Sequence, residues 1–162
     1  MFKPSHEALI ERIKALGGGM PIGALVSNKG HLQQFAHSPS LGHITTFGGH
    51  PVPCAASAAA SALLATADWQ RVEWVGVTIE RTMQQCEHVR EVRRIGLYIA
   101  VELASSDAVN HVVQQAMKRG VLVFYFLSTP QAFRIAPPLN ISDADLNEAL
   151  ETLIACINEA GA

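Results

Sequence analysis

The sequence predicts an α/β protein whose second half is a compact α+β unit, and three observations support this prediction. Hydrophobic residues make up 49% of the 162 residues and charged residues 16%, which is typical of a chain with a packed core. The first half has many glycines and prolines around one strand-like and one alanine-rich segment. The second half follows the order helix, strand, helix, strand, strand, helix. We therefore expect two units, residues 1–68 and residues 69–162, with a boundary near residues 67–71.

Few regular elements are predicted in the first half. Residues 5–16 have the pattern of a short amphipathic helix, and the three glycines at 17–19 are expected to end it. Residues 20–26 (MPIGALV) predict a buried strand. After a loop-like region, residues 54–67 predict an alanine-rich helix, whose small side chains suit close packing on another backbone.

Six elements are predicted in the second half. They are a helix over 74–88, a strand-like stretch over 89–104, a helix from the N-cap Asp107 to Lys118, strands over 121–127 and 133–136, and a helix over 142–158. Leu97, Ile99 and Val101 alternate with their neighbours and are expected to face the core. Five aromatic residues are expected in the core or in an interface: Trp69, Trp74, Phe124, Tyr125 and Phe126.

Composition argues against several classes of function. The net charge of −2 gives no basic surplus, so we expect no nucleic-acid partner. The longest run of small apolar residues, 54–65, is too short to span a bilayer, and the N-terminal residues have no apolar signal core, so no membrane association is expected. Three widely spaced cysteines do not make a disulfide framework, which indicates a reducing, cytoplasmic location.

Several residues could carry chemistry, and each also has a simple structural interpretation. Lys14 precedes the glycines at 17–19, which does not fit a phosphate-binding loop, so it could be a solvated lysine near a helix end. Thr45 and Thr46 could be turn residues, and Arg134 could be a surface strand residue. A zinc site could use three further residues, but their spacing is poor, and no metal is expected. These three residues are His43, His50 and Cys54.

Three segments, in order along the chain, carry a resemblance to a known family. They are KALGGGMPIGA from Lys14, HITTFGGHP from His43, and RIAPPLNI from Arg134. The chain resembles the C-terminal portion of class III aminotransferases, the ω-amino, acetylornithine and ornithine group of pyridoxal 5′-phosphate enzymes. The resemblance implies the fold-type-I α/β architecture, with residues 1–68 as a segment of the large cofactor domain and residues 69–162 as the small α+β domain.

The resemblance also implies roles for individual residues. In the family, the lysine at the position of Lys14 forms the Schiff base with the cofactor. The threonine before the aromatic residue contacts the cofactor phosphate of the neighbouring subunit in a dimer, which implies this role for Thr46 with Thr45 beside it. The arginine at the position of Arg134 holds the substrate's α-carboxylate. The implied reaction transfers an amino group from an ω-amino, acetylornithine, ornithine or lysine-like donor to a 2-oxo acid.

The chain also differs from the family in ways that affect this expectation. Family members are more than twice as long, and their N-terminal part carries a phosphate-binding loop, an aromatic residue on the cofactor ring and an aspartate at the ring nitrogen. The aspartates here all follow Lys14: Asp68, Asp107, Asp143 and Asp145. Arg94 stands where the family commonly has glycine. We therefore expect the chain alone to be inactive.

Two alternatives to an enzyme part remain open. The first is a non-catalytic, truncated remnant that acts as a self-associating interaction module, in which exposed apolar surface drives a homodimer or a higher assembly. The second is a small regulatory α+β domain that binds amino acids without the cofactor.

Overall fold

The computed structural model describes residues 16–24, 28–36 and 45–161, and the chain divides into two compact units, Met1–Ala67 and Asp68–Ala162. In the described part of the first unit there are a short helix α1 (Lys29–Gln33), a 3-10 turn (Gln34–Ala36) and the helix α2 (Pro51–Ala65). The elements of the second unit are α3 (Trp69–Gln84), β1 (Glu91–Ile95), β2 (Tyr98–Glu102), α4 (Ser106–Lys118), β3 (Phe124–Tyr125), β4 (Ala132–Ile135) and α5 (Asp143–Gly161).

The segment before α1 differs from its prediction. The predicted helix over 5–16 lies almost entirely outside the described residues. The glycines that follow form a turn in which the Met20 N–H donates to the Gly17 carbonyl at 3.0 Å. The strand predicted over 20–26 is wrong for residues 20–24, which have no strand pairing, and residues 25–27 lie outside the described part. Pro21 has no N–H to donate to a ladder, which disfavours pairing there.

Helix α2 confirms the predicted alanine-rich helix and begins three residues earlier. Pro51 occupies the first helical position, and the His50 Nδ1 accepts a hydrogen bond from the Val52 N–H at 3.2 Å, which caps the helix. A Cβ on Gly18, whose φ is +54°, would lie 3.2 Å from the Cβ of Ala60. The small side chains of α2 therefore let the glycine turn approach closely, as predicted.

The second unit is built on a four-stranded antiparallel sheet in the order β1-β2-β4-β3. The stretch predicted as one strand over 89–104 is a hairpin, because Gly96 takes a φ of 60° and reverses the chain between β1 and β2. The strand predicted over 121–127 is reduced to β3. At its start the Val121 N–H donates to the Ala116 carbonyl of α4 at 2.9 Å, so this residue belongs to the helix end rather than the ladder.

Three helices cover one face of this sheet and enclose the core. Ile99 and Val101 of β2 and Phe133 of β4 are fully buried on that face, so the predicted alternation in β2 is confirmed. The helices contribute these buried residues: Val72, Val75, Ile79 and Met83 from α3, Val109, Val112, Val113 and Ala116 from α4, and Leu146, Leu150, Leu153, Cys156 and Ile157 from α5.

Five aromatic residues were expected in the core or in an interface, and four of them do not lie in the core. For these four, a place in an interface stays a prediction. These four are about half exposed: Trp69, Trp74, Phe124 and Tyr125. The guanidinium of Arg71 lies 4.5 Å from the ring centroid of Trp74, so this exposed ring contacts a cation instead of the core. The aromatic residue of the core is Phe133.

Side-chain caps explain where the helices of the second unit begin. Helix α3 begins at Trp69, earlier than predicted, because the Asp68 carboxylate accepts the N–H of Arg71 at 2.9 Å. The cap of α4 is Ser105, whose hydroxyl accepts the N–H of Ala108 at 3.1 Å. The predicted cap, Asp107, lies instead in the first turn, where its charge favours the helix dipole.

Two ion pairs connect α5 to the other helices. Arg71 of α3 pairs with Asp143 at the start of α5. Arg119, which follows α4, binds both carboxylate oxygens of Glu159 near the end of α5, at 2.7 and 2.8 Å. The hydrogen bond from Arg119 lowers the pKa of Glu159. Both ends of α5 are therefore tied to their neighbours.

Arg94 joins β1 to α3. Its guanidinium makes two hydrogen bonds with Glu73, at 2.7 and 3.0 Å, and its Nε donates to Glu80 at 2.9 Å. The Arg94 side chain is only 13% exposed. Helix α3 also comes close to the hairpin turn, since a Cβ on Gly76 would lie 2.7 Å from the Gly96 carbonyl oxygen. The hydrogen bond from Arg94 lowers the pKa of Glu73, and the two glutamates raise the pKa of Arg94.

We expect Leu153→Ala to lower the free energy of unfolding by about 2–5 kcal/mol, because it removes methyl groups from a closed core. Leu153 is 1% exposed and Leu127 is 101% exposed. The same truncation at Leu127 is therefore a matched control and should change stability by less than about 0.5 kcal/mol. Urea unfolding of the full chain measures both values. Equal losses for the two variants would contradict this assignment of the core.

We expect Glu73→Gln to reduce stability at neutral pH by about 0.5 kcal/mol, a small effect because Glu73 is largely exposed. The pKa of Glu73 is lowered in the folded state, so its contribution is present above the usual value of 4.5 and is lost as the pH falls through the lowered pKa. The wild type and the variant should therefore converge in urea unfolding at acid pH. Glu151→Gln, an exposed glutamate of α5, is the control and should differ little from wild type at either pH. A gap that stays constant with pH would contradict the ion-pair interpretation.

Candidate functional site

The first unit contains an open concavity of about 940 Å³ beside the start of α2. Its walls come from two segments of the chain. The lining residues are Met20, Pro21, Ile22, Gly23, Thr45, Thr46, Phe47, Gly48, Gly49, His50, Val52, Pro53 and Cys54. Two of the residues singled out from the sequence, Thr45 and Thr46, therefore lie together at this concavity.

Two tight turns shape the segment that carries the threonines. The Gly48 N–H donates to the Thr45 carbonyl at 3.3 Å, and the His50 N–H donates to the Phe47 carbonyl at 3.2 Å. A Cβ on Gly48 would overlap the Thr45 hydroxyl oxygen, and Gly49 has a φ of 70°. Glycine at these two positions is what allows the chain to fold back and leave room for the Thr45 hydroxyl.

The start of α2 has few N–H groups left for an anion. Two of its first three residues are prolines, which have no N–H. The Val52 N–H donates to the His50 ring and the Cys54 N–H to the His50 carbonyl, both at 3.2 Å. These two N–H groups are therefore engaged within the chain, and the hydroxyl-bearing residues at the concavity are Thr45 and Thr46.

Arg134 lies in the second unit, on the sheet face opposite the core. In the antiparallel register it is paired with Ala100 of β2 on one side and Phe124 of β3 on the other. Its guanidinium carbon is 5.3 Å from the ring centroid of Phe124 and 5.6 Å from that of Tyr98. Arg134 is a strand residue and is half-buried on this face.

Sequence reasoning did not connect Tyr98 and Phe124 with Arg134. Tyr98 appeared only as a neighbour in an alternating strand, and Phe124 as one of several expected core aromatics. Strand alternation places Tyr98 and Ala100 on one face, but which strands neighbour Arg134 depends on pairings between distant parts of the chain. The local pattern contained no signal for those pairings.

Two further candidate residues, His50 and Cys54, also line the concavity. Lys14 and His43 lie outside the described residues. Among residues 16–24, 28–36 and 45–161, no group of three or more His, Cys, Asp or Glu side chains is arranged to hold a metal ion.

Cys54 is exposed, Cys86 is half-buried and Cys156 is buried, all as free thiols, and burial raises the pKa of the last two. No helix in the described part is long and apolar enough to cross a membrane.

Comparison with known proteins gives the family. The sequence profile of the class-III aminotransferases matches residues 8–157. The chain therefore belongs to the class-III aminotransferase family.

The acetylornithine aminotransferase of Haemophilus ducreyi is 32% identical over 151 residues, which are 93% of this chain and 37% of that protein. The acetylornithine aminotransferase of Methanothermobacter thermautotrophicus is 32% identical over 145 residues, 86% of this chain and 35% of that protein. The chain thus spans little more than a third of the length of these curated relatives.

Solved structures agree with the family. An ornithine aminotransferase from Toxoplasma gondii, described with partial occupancy of PLP at its active site, superposes with a TM-score of 0.78 and 26% identity, covering 91% of this chain and 35% of that one. A second structure supports the fold. It is an adenosylmethionine-8-amino-7-oxononanoate aminotransferase from Methanocaldococcus jannaschii, which superposes with a TM-score of 0.74. It is 21% identical and covers 91% of this chain and 37% of that one. The expected fold-type-I α/β class is confirmed.

Proposed function

We propose that this chain forms part of a pyridoxal-phosphate-dependent aminotransferase that moves an amino group from an ω-amino, acetylornithine, ornithine or lysine-like donor to a 2-oxo acid. The observation that carries this proposal is the family match over residues 8–157, which includes all four proposed site residues. These are Lys14, Thr45, Thr46 and Arg134. Residues 1–68 would then be a segment of the cofactor-binding large domain, and residues 69–162 the small domain.

The concavity beside α2 fits the phosphate end of such a cofactor. Two hydroxyls, from Thr45 and Thr46, stand at its wall, and a phosphate oxygen accepts hydrogen bonds from groups of this kind. The turn with Gly48 and Gly49 leaves space that a side chain would fill. We assign Thr45 and Thr46 to the cofactor phosphate, which in a homodimer would be that of the neighbouring subunit.

Lys14 and Arg134 are assigned to the cofactor and the substrate. Bound pyridoxal phosphate supplies the electron sink that this reaction needs. The Nζ of Lys14 would hold the cofactor covalently and, once free, carry the proton at the substrate's reacting carbon. The guanidinium of Arg134 would orient the substrate by two parallel hydrogen bonds to its carboxylate.

The isolated chain is expected not to turn over substrate. A lysine amine in water has a pKa near ~10.4 and is mostly protonated, so Lys14 needs burial and neighbouring groups to become a nucleophile. The 151 aligned residues span 37% of the Haemophilus ducreyi relative, and we propose that the groups supplied by the remainder are required. The free thiols are compatible with a reducing, cytoplasmic location.

We expect Lys14 to be the lysine labelled by pyridoxal phosphate and borohydride when the full chain is co-expressed with the N-terminal remainder of the Haemophilus ducreyi relative. Peptide mass spectrometry locates the label. Lys14→Ala should abolish it, whereas Lys118→Ala, an exposed lysine in the last turn of α4, should leave it unchanged. A label spread evenly over Lys3, Lys29 and Lys118 would contradict the assignment.

A second candidate function is a non-catalytic, self-associating module, and one observation favours it. Helix α2 has no buried residue although its sequence is almost wholly apolar. Leu63 is 74% exposed, Val52 is 54% exposed and, just before the helix, Phe47 is 78% exposed. Apolar surface of this kind marks interaction sites in soluble proteins.

We expect the purified chain, without cofactor, to form a dimer or a larger assembly by light scattering. Leu63→Glu should shift the population toward monomer, because it puts a charge into the apolar surface. Leu127→Glu alters a fully exposed leucine in the second unit and is the control. A wild-type chain that stays monomeric at all accessible concentrations would overturn this second candidate.

A further inference from the structure

The side chain of Arg134 lies between two aromatic rings on the sheet face that the helices do not cover. The guanidinium carbon is within 6 Å of both ring centroids, at 5.3 Å for Phe124 and 5.6 Å for Tyr98. At such distances the negative face of an aromatic ring attracts a cation. A long, flexible side chain is therefore held from two sides.

The fold provides both rings independently of each other. Phe124 is the direct cross-strand partner of Arg134 from β3, and Tyr98 comes from β2, two residues before the other partner, Ala100. The ring of Tyr98 is itself contacted edge to face by Phe126, with centroids 5.9 Å apart and planes at 89°. Two rings, one from β2 and one from β3, thus contact the guanidinium, and Phe126, which follows β3, contacts one of these rings.

The cross-strand neighbour of Arg134 on β2 is Ala100, which has a small side chain. The next arginine in the same cross-strand row, Arg93, is bound by Glu91 and by Glu102, the latter at 2.9 Å. Arg93 is therefore engaged by two carboxylates of its own strand pair. The aromatic rings, in contrast, contact Arg134.

We propose that Tyr98 and Phe124 are positioning residues that hold the Arg134 guanidinium in the orientation in which it binds the carboxylate of a 2-oxo or amino acid. This inference rests on the proposed function, because that function gives Arg134 its ligand. An arginine restricted by packing loses less side-chain entropy on binding than a solvated one. Truncating either ring should therefore weaken carboxylate binding without removing the charge.

The test uses the full chain labelled with ¹⁵N and follows the Nε–Hε resonance of Arg134, assigned by its disappearance in Arg134→Lys. 2-Oxoglutarate is the probe. In the wild type the resonance should shift in a saturable way, and Tyr98→Leu and Phe124→Leu should each raise the dissociation constant about three- to tenfold. Tyr98→Phe keeps the ring and should stay within about twofold of wild type.

Tyr125→Leu is the matched control for Phe124→Leu. The two residues are adjacent on β3 and similarly exposed, at 44% and 47%, but Tyr125 is paired with Phe133 and not with Arg134. Before the probe is added, Phe124→Leu should already move the Arg134 resonance, because a ring beside the guanidinium is gone, while Tyr125→Leu should not.

Two results would overturn the inference. The first is an unchanged affinity for 2-oxoglutarate in both Tyr98→Leu and Phe124→Leu, which would show that the rings do not position Arg134. The second is no response of the Arg134 resonance in the wild type, which would show that this arginine does not bind the carboxylate. Neither result bears on labelling at Lys14, which tests the proposed function separately. Conversely, failed labelling with an intact response at Arg134 would count against the proposed function and leave the ring support standing.

Discussion

Strands β2 and β4 pair in a register that sets Val101 opposite Phe133 and Ala100 opposite Arg134. Because side chains alternate across a strand, the first pair enters the core and the second faces away from it. A slip of one residue would bury the guanidinium and expose Phe133, so the hydrophobic core holds the register in place. Burial of the core therefore also places Arg134, the candidate binding residue, on the sheet face that the helices do not cover.

Much of this architecture could be predicted from local patterns. The alanine-rich helix was confirmed because alanine favours a helix locally, although no residue of α2 is buried. The alternation of Ile99 and Val101 was confirmed because burial on one face of β2 imposes it on the sequence. The hairpin was missed since Gly96 sits in an otherwise continuous strand pattern, and only its positive φ reveals the turn. The long apolar run before β4 was overpredicted as a strand, because its first residue, Val121, is bonded to the end of α4.

The candidate site residues were predicted in a different way. Motif resemblance singled out Thr45, Thr46 and Arg134, and this required no knowledge of their surroundings. The contacts of Tyr98 and Phe124 with Arg134 could not be predicted, because they depend on pairing between strands that are far apart in sequence. The pairing of the strands has to be known before an exposed aromatic residue can be recognised as a neighbour of a motif arginine such as Arg134.

Arg94 binds two carboxylates that stand two helical turns apart on one face of α3. These three side chains depend on one another. Without Arg94, Glu73 and Glu80 lose their counter-ion. Without either glutamate, the half-buried guanidinium of Arg94 loses part of its hydrogen bonding. The effect of a substitution at any of the three positions must then depend on the other two.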